Sequence, residues 1–125
     1  MKISILDCGI GNLNAIKNAL KFIKIDCQLI KTKSQIKNSH SLILPGVGSF
    51  FHAMKSIKKK GMYDAIIDHI FVNEKPVLGI CLGMQLLFSD SNEIEKQSGL
   101  NYIQGNIDKI NFNNKKNTFD LNVGW

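Results

Sequence analysis

The chain opens on an apolar block, Ile3-Ser4-Ile5-Leu6, which reads as a buried strand within Lys2–Asp7. Gly9 and Gly11 punctuate it, and Asn12 stands where a helix cap is needed. From Leu13 to Ile25, the apolar residues Leu13, Ile16, Leu20 and Ile23 recur at helical steps. Lys17, Lys21 and Lys24 fall elsewhere on the wheel, so the stretch predicts an amphipathic helix. Cys27–Ile30 predicts a second strand, and Ser41–Leu44 a third, stopped by Pro45-Gly46. Helices are expected over Phe50–Lys60 and Tyr63–Val72, with a break at Gly61. Pro76 opens a short apolar strand, Val77–Ile80, followed by a helix over Leu82–Phe88.

Strands alternating with helices imply βαβ units, a mostly parallel sheet and helices on both faces: an α/β fold. After Ser89 the alternation stops. Asp90–Ser98 reads as polar loop. Ile103–Phe112 and Thr118–Trp125 flank the polar turn Asn113-Asn114-Lys115-Lys116 and are expected to pair as an antiparallel hairpin.

A length of 125 residues suits one domain, and 44% apolar with 21% charged residues is a globular balance rather than a disordered one. The net charge of +6 first suggests nucleic acid. All 16 basic residues are lysines, however, scattered apart from the run Lys58-Lys59-Lys60. Guanine readout and bidentate phosphate grip favour arginine, which is absent. The run is read as a solvated helix face, and nucleic acid is not expected as a partner; an acidic protein partner would suit the charge. Cys8, Cys27 and Cys81 form neither a CxxC pair nor a zinc spacing, so no metal is expected. Asp7 interrupts the first apolar stretch, which is no export signal, and a reducing cytoplasm is expected. The longest apolar run, Val77 to Phe88, is too short to span a bilayer.

Chemistry concentrates in Gly79-Ile80-Cys81-Leu82-Gly83, a G-x-nucleophile-x-G pattern between an expected strand and an expected helix. That context is what a nucleophile elbow requires. The glycines leave room for a sharp turn, and a cysteine at a helix start is favoured as thiolate, its nucleophilic form. The amide of Leu82 stands ready to donate to an oxyanion. Taken alone, Cys81 is as readily a small buried residue between packing glycines. Leu44-Pro45-Gly46-Val47-Gly48 changes that balance. A Pro-Gly-x-Gly loop after a strand turns backbone amides toward a ligand, and in an open α/β sheet it meets the elbow at the strand ends. His40, His52 and His69 all precede Cys81 and read as surface or packing residues. Gly9-Ile10-Gly11 begins like a dinucleotide fingerprint, but Asn14 stands where its third glycine belongs, and no phosphate-cradling P-loop occurs; no cofactor is expected.

The segments Leu44-Pro45-Gly46-Val47-Gly48-Ser49-Phe50 and Gly79-Ile80-Cys81-Leu82-Gly83-Met84-Gln85-Leu86-Leu87 together resemble the class I (triad-type) glutamine amidotransferases. Within them the chain is most similar to the glutaminase subunits of imidazole glycerol phosphate synthase. Asp7-Cys8-Gly9-Ile10-Gly11-Asn12-Leu13 and Val123-Gly124-Trp125 match the same branch. The resemblance implies that Cys81 attacks the side-chain amide of glutamine. It implies that Gly46, Val47, Gly48 and Leu82 supply oxyanion amides, and that Gln85 helps to hold the substrate. Ammonia would then pass to a (β/α)8-barrel cyclase in a heterodimer serving histidine biosynthesis. The family completes its triad with a His-Pro-Glu motif well past the elbow, and none follows Cys81 here. Residues 1–125 are therefore expected to be the N-terminal portion of a single such domain, its C-terminal part missing, and inactive alone. Asn122 stands where the histidine branch usually has His, which leaves two alternatives. One is a paralogue feeding a sugar amidotransferase of surface-polysaccharide synthesis; the other is a degenerate, partner-binding fragment.

Overall fold

Residues 2–109 are described by a computed structural model of the chain. The first sheet contains β1 (Ile3–Leu6), β2 (Cys27–Ile30), β3 (Leu42–Leu44) and β4 (Val77–Gly79) in the order β2-β1-β3-β4. All three pairings are parallel, so the expected α/β architecture is the one observed. Right-handed crossovers then place α1 (Leu13–Phe22) on one face of the sheet. α2 (Lys33–Lys37), α3 (Phe50–Lys59) and α4 (Tyr63–Ile67) lie on the other. The main core sits on that second face, where Leu6, Ile30, Leu42 and Leu44 of the strands join Phe50, Met54, Ile57 and Ile66 of the helices. Ile5 and Ile43 are buried outside this cluster and alternate to the α1 side.

Local chemistry explains most boundaries. The Asn12 side chain accepts from the Ala15 amide at 3.1 Å and caps α1 as expected. That helix ends at Phe22 rather than Ile25, because Lys24 turns left-handed (φ 59°) and Ile25 donates back to the Leu20 carbonyl. α2 was not expected. Its signature is nonetheless present in Thr32-Lys33-Ser34-Gln35, a capping box in which each partner satisfies the other's backbone amide. The helix expected over Tyr63–Val72 is α4 followed by a π-helical turn, Asp68–Val72. Lys58, Lys59 and Lys60 are exposed, as the solvated-face reading requires.

Two expectations require correction. The helix after Cys81, α5, covers only Leu82–Gln85 instead of Leu82–Phe88. The Leu87 carbonyl accepts from Tyr102 and Ile103, which draws the chain out of the helix and into β5 (Phe88–Ser91). The presumed polar loop Asp90–Ser98 is in fact the arm of a second, small sheet. Its order is β6-β5-β7, with β6 (Gln97–Ser98) antiparallel and β7 (Ile103–Ile107) parallel to β5. The expected hairpin partner of β7, Thr118–Trp125, lies outside the described residues. At the other extreme of the main sheet, β4 is an edge strand among the described residues, and Leu78 on it is 56% exposed.

His69 proves to be a packing residue, 1% exposed. Its Nε2 lies 3.2 Å from the Pro76 carbonyl, while buried Nδ1 has no hydrogen-bond partner among the described residues. Burial pushes its pKa below the ordinary 6.5 and the Lys75 charge acts in the same direction, while the carbonyls of Pro76 and Ile36 offset part of this. The unfolded chain therefore takes up a proton that the folded chain resists. Stability is expected to be full above about pH 6.5 and to fall below it, by up to about 1.4 kcal/mol per pH unit. Urea midpoints measured across this range check the prediction. A slope unchanged in His69→Leu would show that another group is responsible.

Candidate active site

Cys81 stands at the carboxyl end of β4, as the N-cap of α5, with φ 55° and ψ −117°. A non-glycine residue there is strained, and the strain persists because the surroundings dictate it. The flanking glycines are those surroundings. A Cβ on Gly79 would lie 2.4 Å from Met84 Cα, and one on Gly83 would lie 1.8 Å from the Leu44 carbonyl oxygen. The start of α5 is thus pressed directly against β3, and the Cys81 side chain is left exposed.

The Pro45-Gly46-Val47-Gly48 loop meets the elbow because β3 and β4 are parallel neighbours, with Leu44 opposite Gly79. A Cβ on Gly46 would come within 2.8 Å of Leu82 Cβ and 2.9 Å of the Gly83 nitrogen. The β1 loop completes the rim: a Cβ on Gly11 (φ 108°) would lie 3.0 Å from Pro45 Cβ. Among the described residues, the amides of Val47, Gly48 and Leu82 have no hydrogen-bond partner. Gln85 is half-buried one turn beyond Cys81, and its amide donates to the Cys81 carbonyl at 3.2 Å. Because α5 is a single turn, the local positive field at Cys81 comes from these free amides rather than from a long helix dipole.

Glu93 was not singled out from the sequence, where it is one acid in a polar stretch. Its Oε2 accepts from the Phe50 amide at 3.1 Å. Ser49 Oγ accepts from the His52 amide at 3.3 Å. Two free amides at the start of α3, immediately after the Gly-rich loop, are therefore satisfied, one of them from the arm of the second sheet. No spacing rule marks such a long-range carboxylate cap.

None of the three histidines joins Cys81. His69 bonds to Pro76, at the opposite end of β4. His40 is exposed before β3 begins, and exposed His52 has its Nδ1 2.7 Å from Ser49 Oγ. Near the rim, Asp7 pairs with Lys31 at 3.2 Å. Burial alone would raise its pKa, but hydrogen bonds from Lys31 and the Gly9 amide, with the charges of Lys31 and Lys60, hold it below 3.8. The other thiols differ in setting: burial pushes the Cys8 thiol up, and Cys27 is partly exposed. No metal-holding cluster of His, Cys, Asp or Glu exists among the described residues, and no helix there is long and apolar enough to cross a membrane.

Residues 4–121 match the family model described as glutamine amidotransferase class-I. The chain is 41% identical over 124 residues to the imidazole glycerol phosphate synthase subunit HisH of Leptospira interrogans, spanning 98% of this chain and 60% of that protein. Against the HisH subunit of Caldanaerobacter subterraneus subsp. tengcongensis it is 44% identical over 123 residues, spanning 98% and 58%. A crystal structure of a glutamine amidotransferase superimposes with a TM-score of 0.75 at 20% identity, covering 92% of this chain and 60% of that one. The chain thus spans about 60% of the length of the curated relatives it matches.

Proposed function

Since the chain belongs to the class-I glutamine amidotransferase family, we propose that it contributes the nucleophile half of a glutaminase site serving imidazole glycerol phosphate synthesis. The observation that carries the reading is the strained Cys81, held between two glycines and beside a loop with free amides. Cys81 Sγ attacks the side-chain carboxamide carbon of glutamine. The amides of Gly46, Val47, Gly48 and Leu82 receive the developing oxyanion, and Gln85 orients the substrate. The C–N bond then breaks, ammonia leaves with the thiol proton, and water releases glutamate from the thioester. Moving that proton requires a base, which the reading assigns to polypeptide outside these 125 residues. Little glutaminase activity is accordingly expected of the chain alone.

Ammonia is of use only to a second active site, and the proposed partner is the cyclase subunit, a (β/α)8 barrel bound as a heterodimer. The HisH names of the relatives favour this over the sugar-amidating alternative.

A glutamine-like chloroketone tests the reading on the chain as it is. Peptide mapping is expected to show alkylation of Cys81 well before Cys27 or Cys8, slowed by added glutamine. Iodoacetamide, which carries no recognition element, should discriminate less between the two accessible thiols. Equal chloroketone rates at Cys81 and Cys27, with no protection by glutamine, would refute the assignment.

A further inference from the structure

The second edge of the main sheet carries a feature that the glutaminase reading does not use. Among the described residues, β2 is the edge strand opposite β4. Toward β1, the Asp26 carbonyl accepts from the Ile3 amide at 3.0 Å and the Ile30 carbonyl accepts from the Asp7 amide at 2.8 Å. In a parallel ladder successive residues alternate sides. Gln28 and Ile30 therefore serve β1, and Cys27 and Leu29 turn their N–H and C=O groups outward, with no strand partner among the described residues.

Above this edge lies a groove of about 580 Å³ lined by Lys17, Lys21, Lys24, Ile25, Asp26 and Cys27. Lys17 and Lys21 stand one turn apart on α1, and Lys24 follows in the left-handed turn after it; all three line the groove. Asp26 is the single acid opposing them in the lining. No residue of α1 is fully buried, so the helix itself has contact surface to spare.

We propose that this edge binds an extended acidic segment of a partner protein as an added strand beside β2. The outward main-chain groups of Cys27 and Leu29 provide the pairing, and side chains of the added strand alternate toward and away from α1. Glutamate or aspartate on the α1 side meets the groove lysines, and the alternate side chains point away from α1. A polypeptide fits better than a nucleic acid because an edge strand presents alternating donors and acceptors that another backbone repeats. Exposed edges are usually blunted by charge, and here the charge selects the complementary sign instead of excluding every strand.

The test uses the 125-residue chain and a short fluorescein-labelled peptide alternating glutamate and valine, followed by anisotropy. Saturable binding is expected, weakening with salt, and absent for a lysine–valine peptide. The double variant Lys17→Glu/Lys21→Glu should lose about tenfold or more in affinity. Lys58→Glu/Lys59→Glu, on exposed α3 positions, should leave affinity unchanged and guards against a net-charge effect. N-methylation of alternate peptide amides should weaken binding comparably, since it removes strand pairing but no charge. Equal binding of the methylated peptide would overturn strand addition. So would a failure of the peptide to bind while an oligothymidine or a phosphatidylserine vesicle does.

Discussion

Cys81→Ala in the complete protein is expected to lower glutamine hydrolysis by roughly 10⁴-fold or more, since the covalent route disappears with its nucleophile. Neither of the other two thiols of this chain is placed to substitute. Cys8 is buried with its pKa raised, and Cys27 lies on β2, separated from β4 by β1 and β3. The exposed side chain and the backbone-dictated elbow mean that the loss of one sulfur atom should leave the fold intact, which circular dichroism can verify. Synthesis supported by externally added ammonia should persist, because the proposed reading has ammonia consumed on the partner. Loss of ammonia-dependent synthesis in this variant would contradict the division of labour between the two subunits. Residual glutaminase near the parent rate would remove Cys81 from the chemistry altogether.

Gly83→Ala is expected to act on the fold itself, destabilising it by about 3 kcal/mol or more. The new methyl group would lie 1.8 Å from the Leu44 carbonyl oxygen and 2.6 Å from its carbon. Both are backbone atoms of a central strand, so neither can swing aside as a side-chain tip would. A loss of that size is a large share of the 5–15 kcal/mol that holds a typical domain together. Gly48→Ala provides the contrast: nothing lies within 4 Å of its added Cβ, and the cost is confined to the positive φ of 101°, about 1–2 kcal/mol. Urea denaturation should rank the two variants in that order. A Gly83→Ala midpoint equal to that of the parent would show that α5 does not press on β3 as described.

The main sheet and the chemical core were legible because their signals are local or repeat in the sequence. The apolar blocks at Ile3–Leu6, Cys27–Ile30 and Leu42–Leu44 became strands, and the two glycine-bearing loops fell at the ends of β3 and β4. What escaped depended on distant partners. The Leu86-Leu87 pair is apolar in a helix or at the approach to a strand, and hydrogen bonds from Tyr102 and Ile103 decide between them. Glu93 gained its role from an amide 43 residues away. Asp90 and Ser98 are too polar to look like strand residues, yet they pair within a half-exposed sheet. α2 is different, since its capping box is local; five residues offered too few turns for periodicity to register.

The contact between Gly83 and Leu44 also bears on how the molecule comes to possess the strained elbow at Cys81. The left-handed turn at Cys81 is unfavourable in an isolated segment, and what enforces it is contributed by a strand far earlier in the chain. Closing that long loop is slow and entropically costly until β3 and β4 have paired. The strained geometry is therefore expected to form only together with the sheet. A nascent or misfolded chain carries Cys81 on ordinary backbone, and the strained elbow belongs only to molecules that have already assembled their core.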